Sequence, residues 1–191
     1  SITIPSGVKS IGDSAFYGCS SLASVTMSGG VTSIGSWAFY ECSALTSVEL
    51  SDELTSIGRS AFNGCSALAA INIPISVTSI ADDAFKDCSS LTIYAEATSR
   101  PDGWVYEGNY SYDDNWNPDN CPVMWGQSYS GGLLYKKVDD GVEIVRCDYT
   151  GDVVIPSTIE GEPVVALSPT SASVFESPSQ VTSVTLPASL K

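Results

Sequence analysis

The first half of this chain repeats itself every 23 residues, and no other feature restricts its fold as strongly. Eight apolar columns keep this period over four copies, and the phenylalanine and cysteine columns are invariant. These two columns are Phe16, Phe39, Phe62 and Phe85, and Cys19, Cys42, Cys65 and Cys88. A unit of 23 residues is too short to bury its own apolar face, so neighbouring units must stack to cover it. The repeat therefore predicts a solenoid.

Each unit contains the local signals of a short solenoid coil. Residues 2–4 alternate apolar and polar side chains, which indicates a strand with one buried face. Residues 8–11 form a second extended piece, Gly12 turns the chain, and residues 13–18 are long enough for one helical turn. We expect equivalent strands to stack in parallel about 4.8 Å apart.

The order P-x-x-V-x-x-I-G-x-x-A-F-x-x-C-x-x-L recurs through residues 1–93. This unit resembles the BspA-like leucine-rich repeat of bacterial surface proteins. The resemblance implies a right-handed, strand-rich leucine-rich-repeat solenoid with short helical turns and with strands on its concave side. It also implies a secreted or cell-surface protein whose partners are host or matrix proteins, or glycans. The chain begins SITIPSGV without a signal peptide, as a mature domain or a trimmed fragment would.

The cysteine column predicts buried free thiols. A zinc site needs four ligands that converge on one point, whereas residues spaced by the coil repeat form a column. Unpaired cysteine is among the most buried residue types, so packing explains the column without metal or redox chemistry. Cys121 and Cys147 lie outside the column, and whether they pair with each other stays open at this stage.

After Leu91 the period breaks, and the sequence predicts four parts. Aromatic residues of a capping segment would cover the apolar end of the array. Two alternating runs flank Asp140-Gly141, a signal for a hairpin with a type I′ turn. The parts are 1–93, the repeat array; 94–126, an aromatic and acidic cap with an insertion at 105–114; 127–150, a linker and hairpin; and 151–191, the start of a second, truncated array.

Three groups of residues are candidate sites. Exposed aromatic and acidic side chains of the cap are typical of surfaces that stack on sugars or anchor proteins, although capping alone would also explain them. Their members are Trp104, Tyr106, Glu107, Tyr110, Tyr112, Asp113 and Asp114. A weak calcium pattern consists of Asp113, Asn115, Asn117 and Asp119, but Pro118 and Met124 replace the loop glycine and the bidentate glutamate. The predicted concave face presents Thr3, Thr26, Glu49 and Asn72.

Composition limits the function. The chain has 22 acidic and 8 basic residues, no histidine and a net charge of −14, which disfavours nucleic acid and histidine-based catalysis. No segment is apolar enough for membrane insertion. We therefore expect a non-catalytic binding or adhesion module without a cofactor, able to self-associate through uncapped ends. A structural spacer is the alternative, and a glycosidase using Glu107, Asp113 and Asp114 is a remote one.

Overall fold

The computed structural model describes residues 1–104, 116–119, 121–130, 133–147, 151–159, 161–167 and 181–190. The chain forms two compact units, Ser1–Trp125 and Gly126–Lys191. Regular structure in the described residues consists of strands alone. Across those ranges, no helix has the length and apolar character that crossing a membrane requires.

Two strands recur in each coil of the first unit. The first of them contributes two to four residues to the core side of a longer strand, and the second is a two-residue strand. The longer strands are β1 (Ile2–Ile4), β3 (Ser24–Met27), β5 (Ser47–Glu49), β7 (Ala70–Ile73) and β9 (Thr92–Ala95), followed by β10 (Val123–Trp125). The short strands are β2 (Ser10–Ile11), β4 (Ser33–Ile34), β6 (Ser56–Ile57) and β8 (Ser79–Ile80).

Equivalent strands pair in parallel and in register, which confirms the predicted solenoid. Val25 pairs with Ile2 on one side and with Val48 on the other. The pairing orders are β1-β3-β5, β7-β9-β10 and β2-β4-β6-β8. Because each residue pairs with its own repeat equivalent, every apolar column becomes a continuous row in the core.

A third side of each coil consists of tight turns rather than the predicted helical turns. We call this side the turn face, made of residues 12–19, 35–42, 58–65 and 81–88. Alternate N–H groups leave their own turn: Phe16 donates to the carbonyl of Ala38 at 2.7 Å, whereas Tyr17 donates to Ser14 at 3.1 Å. Ser14 has φ of 56°, which a right-handed helix does not accommodate. The expectation of short helical turns was therefore wrong.

Aromatic rings form the centre of the first core. Phe16, Phe39, Phe62 and Phe85 stack with successive ring centroids 5.1, 5.2 and 5.6 Å apart. Trp116 then meets the last ring edge-on at 6.2 Å. Trp104 packs against Trp116 at 5.1 Å and against Trp125 at 5.4 Å. These three indoles cover the end of the phenylalanine row, which is the arrangement expected of a cap.

The second unit has its own sheet and core. Its five-stranded sheet has the order β11-β12-β13-β16-β15, from β11 (Ser128–Ser130), β12 (Leu133–Val138), β13 (Gly141–Cys147), β15 (Thr158–Ile159) and β16 (Glu162–Leu167). β12 and β13 form the expected antiparallel hairpin. The turn was predicted one residue too late: Gly141 pairs with Val138, so Asp139 and Asp140 form the loop.

The second unit also contains one parallel pair. β14 (Gly151–Val154) pairs with β17 (Val181–Thr185), and Val153 lies opposite Val184. Val164, which the sequence pattern matches to a short strand of a coil, lies instead in β16 and pairs with Val142 of the hairpin. Phe175, matched to the phenylalanine column, lies outside the described residues.

Two glycines of the first coil test the turn geometry. Gly18 has φ of 66° and Gly12 does not have a positive φ, and a Cβ at either position would meet nothing within 4 Å. Because L-residues in the left-handed region are disfavoured by about 1–2 kcal/mol, Gly18→Ala should lower the free energy of unfolding relative to Gly12→Ala by about that amount. Denaturant unfolding followed by circular dichroism measures both variants. Equal stabilities would contradict the assigned turn.

Candidate functional site

The outward strand positions form a row that we call the strand face. Thr26 pairs with Thr3 and with Glu49, so these three predicted residues lie side by side on one sheet. Asn72 lies on the neighbouring sheet and pairs with Tyr94. Thr3 and Glu49 are exposed, and Thr26 and Asn72 are half-buried. The strand face is therefore polar and carries hydroxyl, carboxylate and amide groups.

The sequence prediction missed that the row continues beyond the repeat. Tyr94 pairs with Asn72 and also with Met124 of β10. The signal was a spacing of 22 residues instead of 23 between Asn72 and Tyr94. Tyr94 is 7% exposed, so it contributes chiefly to packing.

A groove of about 370 Å³ lies where β3 and β5 end. Its lining residues are Met27, Ser28, Gly29, Leu50, Ser51, Asp52 and Glu53. Ser28 and Ser51 occupy the column in which Pro5 and Pro74 stand in the flanking coils. A serine side chain fills less space than a pyrrolidine ring, so these two substitutions help to open the groove. That break in the proline column was a sequence signal that our prediction did not use.

The cap residues divide into a buried tryptophan and a segment that is not described. Trp104 is 1% exposed, and its indole N–H donates a hydrogen bond to the carbonyl of Val77 at 3.0 Å. The structure therefore assigns Trp104 to the cap of the core and not to an exposed binding surface. The other predicted residues of the cap site lie outside the described residues: Tyr106, Glu107, Tyr110, Tyr112, Asp113 and Asp114.

The two described members of the calcium pattern hold the cap in place. The Asn117 side chain donates to the carbonyl of Cys121 and accepts from its N–H, both at 2.9 Å. The carboxylate of Asp119 accepts a hydrogen bond from the N–H of Asp87. Asp113 and Asn115 lie outside the described residues. Among the residues that the structure does describe, no cluster of three acidic or cysteine side chains is arranged to hold a metal ion.

All six cysteines are free, which confirms the predicted thiol column and answers the open question about Cys121 and Cys147. Cys42 and Cys65 donate to the carbonyls of Phe16 and Phe39, at 3.2 and 3.3 Å. These bonds, together with that of Cys88 to Phe62 at 3.1 Å, connect each coil to the preceding one.

The two ends of the thiol column differ from the prediction. Cys19 is exposed, so the expectation of burial fails at the first rung, where no described coil packs outside it. Cys121 was placed outside the column, yet its sulfur lies 3.7 Å from the carbonyl oxygen of Cys88. The chain returns to the array there after a long excursion, which periodicity does not predict.

Burial keeps the inner thiols protonated. It raises the pKa of Cys42 to about 11 and the pKa of Cys88 to about 12, and it raises the pKa of Cys65 further. Because the thiolate is the reactive and metal-binding form, this column is poorly suited to redox or nucleophilic chemistry. Its role in the geometry is packing and hydrogen bonding.

The turn face carries exposed aromatic side chains that the sequence prediction missed. Tyr17 is 55% and Trp37 is 42% exposed. The ring of Tyr17 stacks on that of Tyr40, with centroids 4.9 Å apart and an angle of 13° between the planes. The carboxylate of Glu41 is the main cause of a raised pKa at Tyr40.

Comparison with known proteins defines the family. The profile of the BspA type leucine rich repeat region matches residues 1–100 in six copies. The geometry defines a solenoid repeat protein, and this match covers more than half of the chain. The chain belongs to the BspA-type leucine-rich repeat family. The comparison with curated proteins gives no match.

Solved structures of similar bacterial proteins extend the comparison. A leucine-rich repeat protein from Bacteroides capillosus is 39% identical, with a TM-score of 0.43 over 46% of this chain and 63% of that one. One from Bacteroides ovatus is 30% identical, with a TM-score of 0.39 over 53% and 31%. A leucine rich cell surface protein from Faecalibacterium prausnitzii is 23% identical, with a TM-score of 0.46 over 95% and 55%. The chain therefore spans less than two thirds of each relative.

Alkylation of the native protein tests the thiol column. At pH 8, roughly one Cys42 side chain in a thousand is a thiolate when its pKa is about 11. We expect iodoacetamide to label Cys19 quickly, and to label Cys42, Cys65 and Cys88 only after denaturation. Mass spectrometry of the digested protein identifies the labelled sites. Labelling of Cys65 in the native protein at the rate seen for Cys19 would contradict this structure.

Proposed function

We propose that this chain is a non-catalytic binding module of a secreted or cell-surface bacterial protein. In this proposal it recognises a protein or a glycan through the strand face and the adjoining groove. The observation that carries the proposal is the 370 Å³ groove between two coils, at the end of a row of polar strand positions. A groove of this size is large enough to admit a side chain or a sugar ring.

The chemistry of the groove supports a polar ligand. The side chains of Asp52 and Glu53 are exposed, and Ser51 is buried with its hydroxyl accepting a hydrogen bond from the N–H of Glu53 at 3.2 Å. The ammonium of Lys9 lies 4.0 Å from the Glu53 carboxylate, and both side chains are well exposed. Such an exposed pair is worth little to stability, so either group is free to exchange it for a ligand.

A spacer is the second reading of the same solenoid. A spacer needs the apolar rows but needs neither the groove nor the change from proline to serine at two adjacent coils. The opening at Ser28 and Ser51 therefore favours a binding module. The predicted aromatic and acidic site at 105–114 is an additional proposed contact surface of the same module.

A binding array with matched variants tests the proposal. The whole chain is applied to immobilised matrix proteins and glycans, together with Asp52→Arg and the control Asp139→Arg. Both replaced residues are exposed, and both variants change the net charge equally. We expect a ligand whose binding falls about tenfold or more with Asp52→Arg and stays unchanged with the control, because only Asp52 lines the groove.

Two results would contradict parts of this proposal. Absence of binding to every probe, by the unaltered protein, would favour the spacer. A variant lacking residues 105–114 tests the insertion separately, and binding equal to that of the unaltered protein would remove the insertion as a contact surface.

A further inference from the structure

The second coil exposes a tryptophan at a position where the other coils carry small or acidic residues. Trp37 belongs to the column of Ser14, Ser60 and Asp83. Its side chain is 42% exposed, so it adds little to the core. The fold is satisfied by serine at the equivalent positions, and the indole therefore calls for an explanation other than packing.

The backbone of the same turn adds a conformational cost. Trp37 has φ of 55°, a left-handed conformation that bulky residues adopt rarely. Glu41 also has a positive φ, of 53°, in the column where Gly18 and Gly64 stand. Non-glycine residues held in this region are concentrated at functional sites, where the surrounding structure offsets their cost.

Two tyrosines extend the aromatic surface onto the first coil. Tyr17 stacks on Tyr40 at 4.9 Å and remains 55% exposed. The two turns are joined by the backbone, since the N–H of Gly18 donates to the carbonyl of Tyr40 at 2.8 Å. Ser14, the first-coil equivalent of Trp37, donates to Ser36 at 2.9 Å. Three aromatic residues thus lie on two adjacent turns.

The charge around these rings is negative. The carboxylates of Glu41 and Asp87 both raise the pKa of Tyr40, and Lys86 opposes them. Glu41 and Asp87 are exposed, and the whole chain carries a net charge of −14. Aromatic faces beside carboxylates attract cations, through the ring quadrupole and through charge pairing. A neutral sugar would gain from the rings but not from this field.

We propose that Tyr17, Trp37, Tyr40 and Glu41 form a second binding surface, which takes arginine or lysine side chains of a basic segment of a partner protein. The cationic group lies against an aromatic ring and pairs with the Glu41 carboxylate. This surface is on the turn face, so it is separate from the strand face and the groove.

A pair of synthetic peptides tests the charge requirement. One peptide alternates arginine with glycine, and the other replaces every arginine by citrulline, which has a similar shape without the charge. Isothermal titration calorimetry with the whole chain should give binding of the arginine peptide that is about tenfold or more tighter, and that weakens as salt is added. Equal affinities, or no binding of the arginine peptide at low salt, would overturn the proposal.

Three variants locate the surface. Trp37→Ser installs the residue found at positions 14 and 60, and Glu41→Gln keeps the side-chain shape. Glu49→Gln is the control, because it removes the same charge from the strand face. We expect Trp37→Ser and Glu41→Gln each to weaken binding by about fivefold or more, with the control unchanged and all melting temperatures retained.

The other outcomes of these variants are equally informative. An effect of Glu49→Gln as large as that of Glu41→Gln would show that binding follows net charge alone and would overturn the assigned surface. So would a neutral oligosaccharide whose binding depends on Trp37 but not on Glu41, since the surface would then recognise glycans. Neither result bears on the groove, which the Asp52→Arg variant tests separately.

Discussion

The stacking of each coil on its own repeat equivalent is the interaction on which the first unit depends. It acts on all three sides of the coil, through parallel strand pairs, through hydrogen bonds between turns, and through the row of phenylalanine rings. Each fully buried phenylalanine contributes about 1.5–3 kcal/mol by removal of apolar surface from water. Because every contact repeats with the same spacing, an altered repeat length shifts all three sides together, as the 22-residue step to Tyr94 illustrates.

The sequence predicted what periodicity controls and missed what depends on distant chain. Phenylalanine and cysteine columns are visible as a pattern, and their burial follows from stacking. The helical turn was wrong because the N–H groups of Phe16 and Gly18 find acceptors on the next coil, information that a local pattern does not contain. The position of Cys121 beside Cys88 also depends on the path of the returning chain. For the predicted site, only Trp104 of the cap aromatics is described, and its burial follows from three-dimensional packing.

Departures from the repeat carry the functional information. A residue that matches its column is explained by stacking, whereas one that differs must be explained by something else. Ser28 and Ser51 replace the column proline at the groove, and Trp37 replaces the column serine on the turn face. These positions are therefore better guides to ligands than the conserved rows, which would look the same in a spacer.

The most direct test of coil stacking compares alanine at an inner and at an outer ring. Phe62 is fully buried between two rings, and Phe16 is half-buried with one ring neighbour. Phe62→Ala should lower the free energy of unfolding by about 3–5 kcal/mol, and Phe16→Ala by roughly half of that or less. Urea unfolding followed by circular dichroism measures both. Equal losses, or a loss below about 1 kcal/mol for Phe62→Ala, would contradict a core made by stacking.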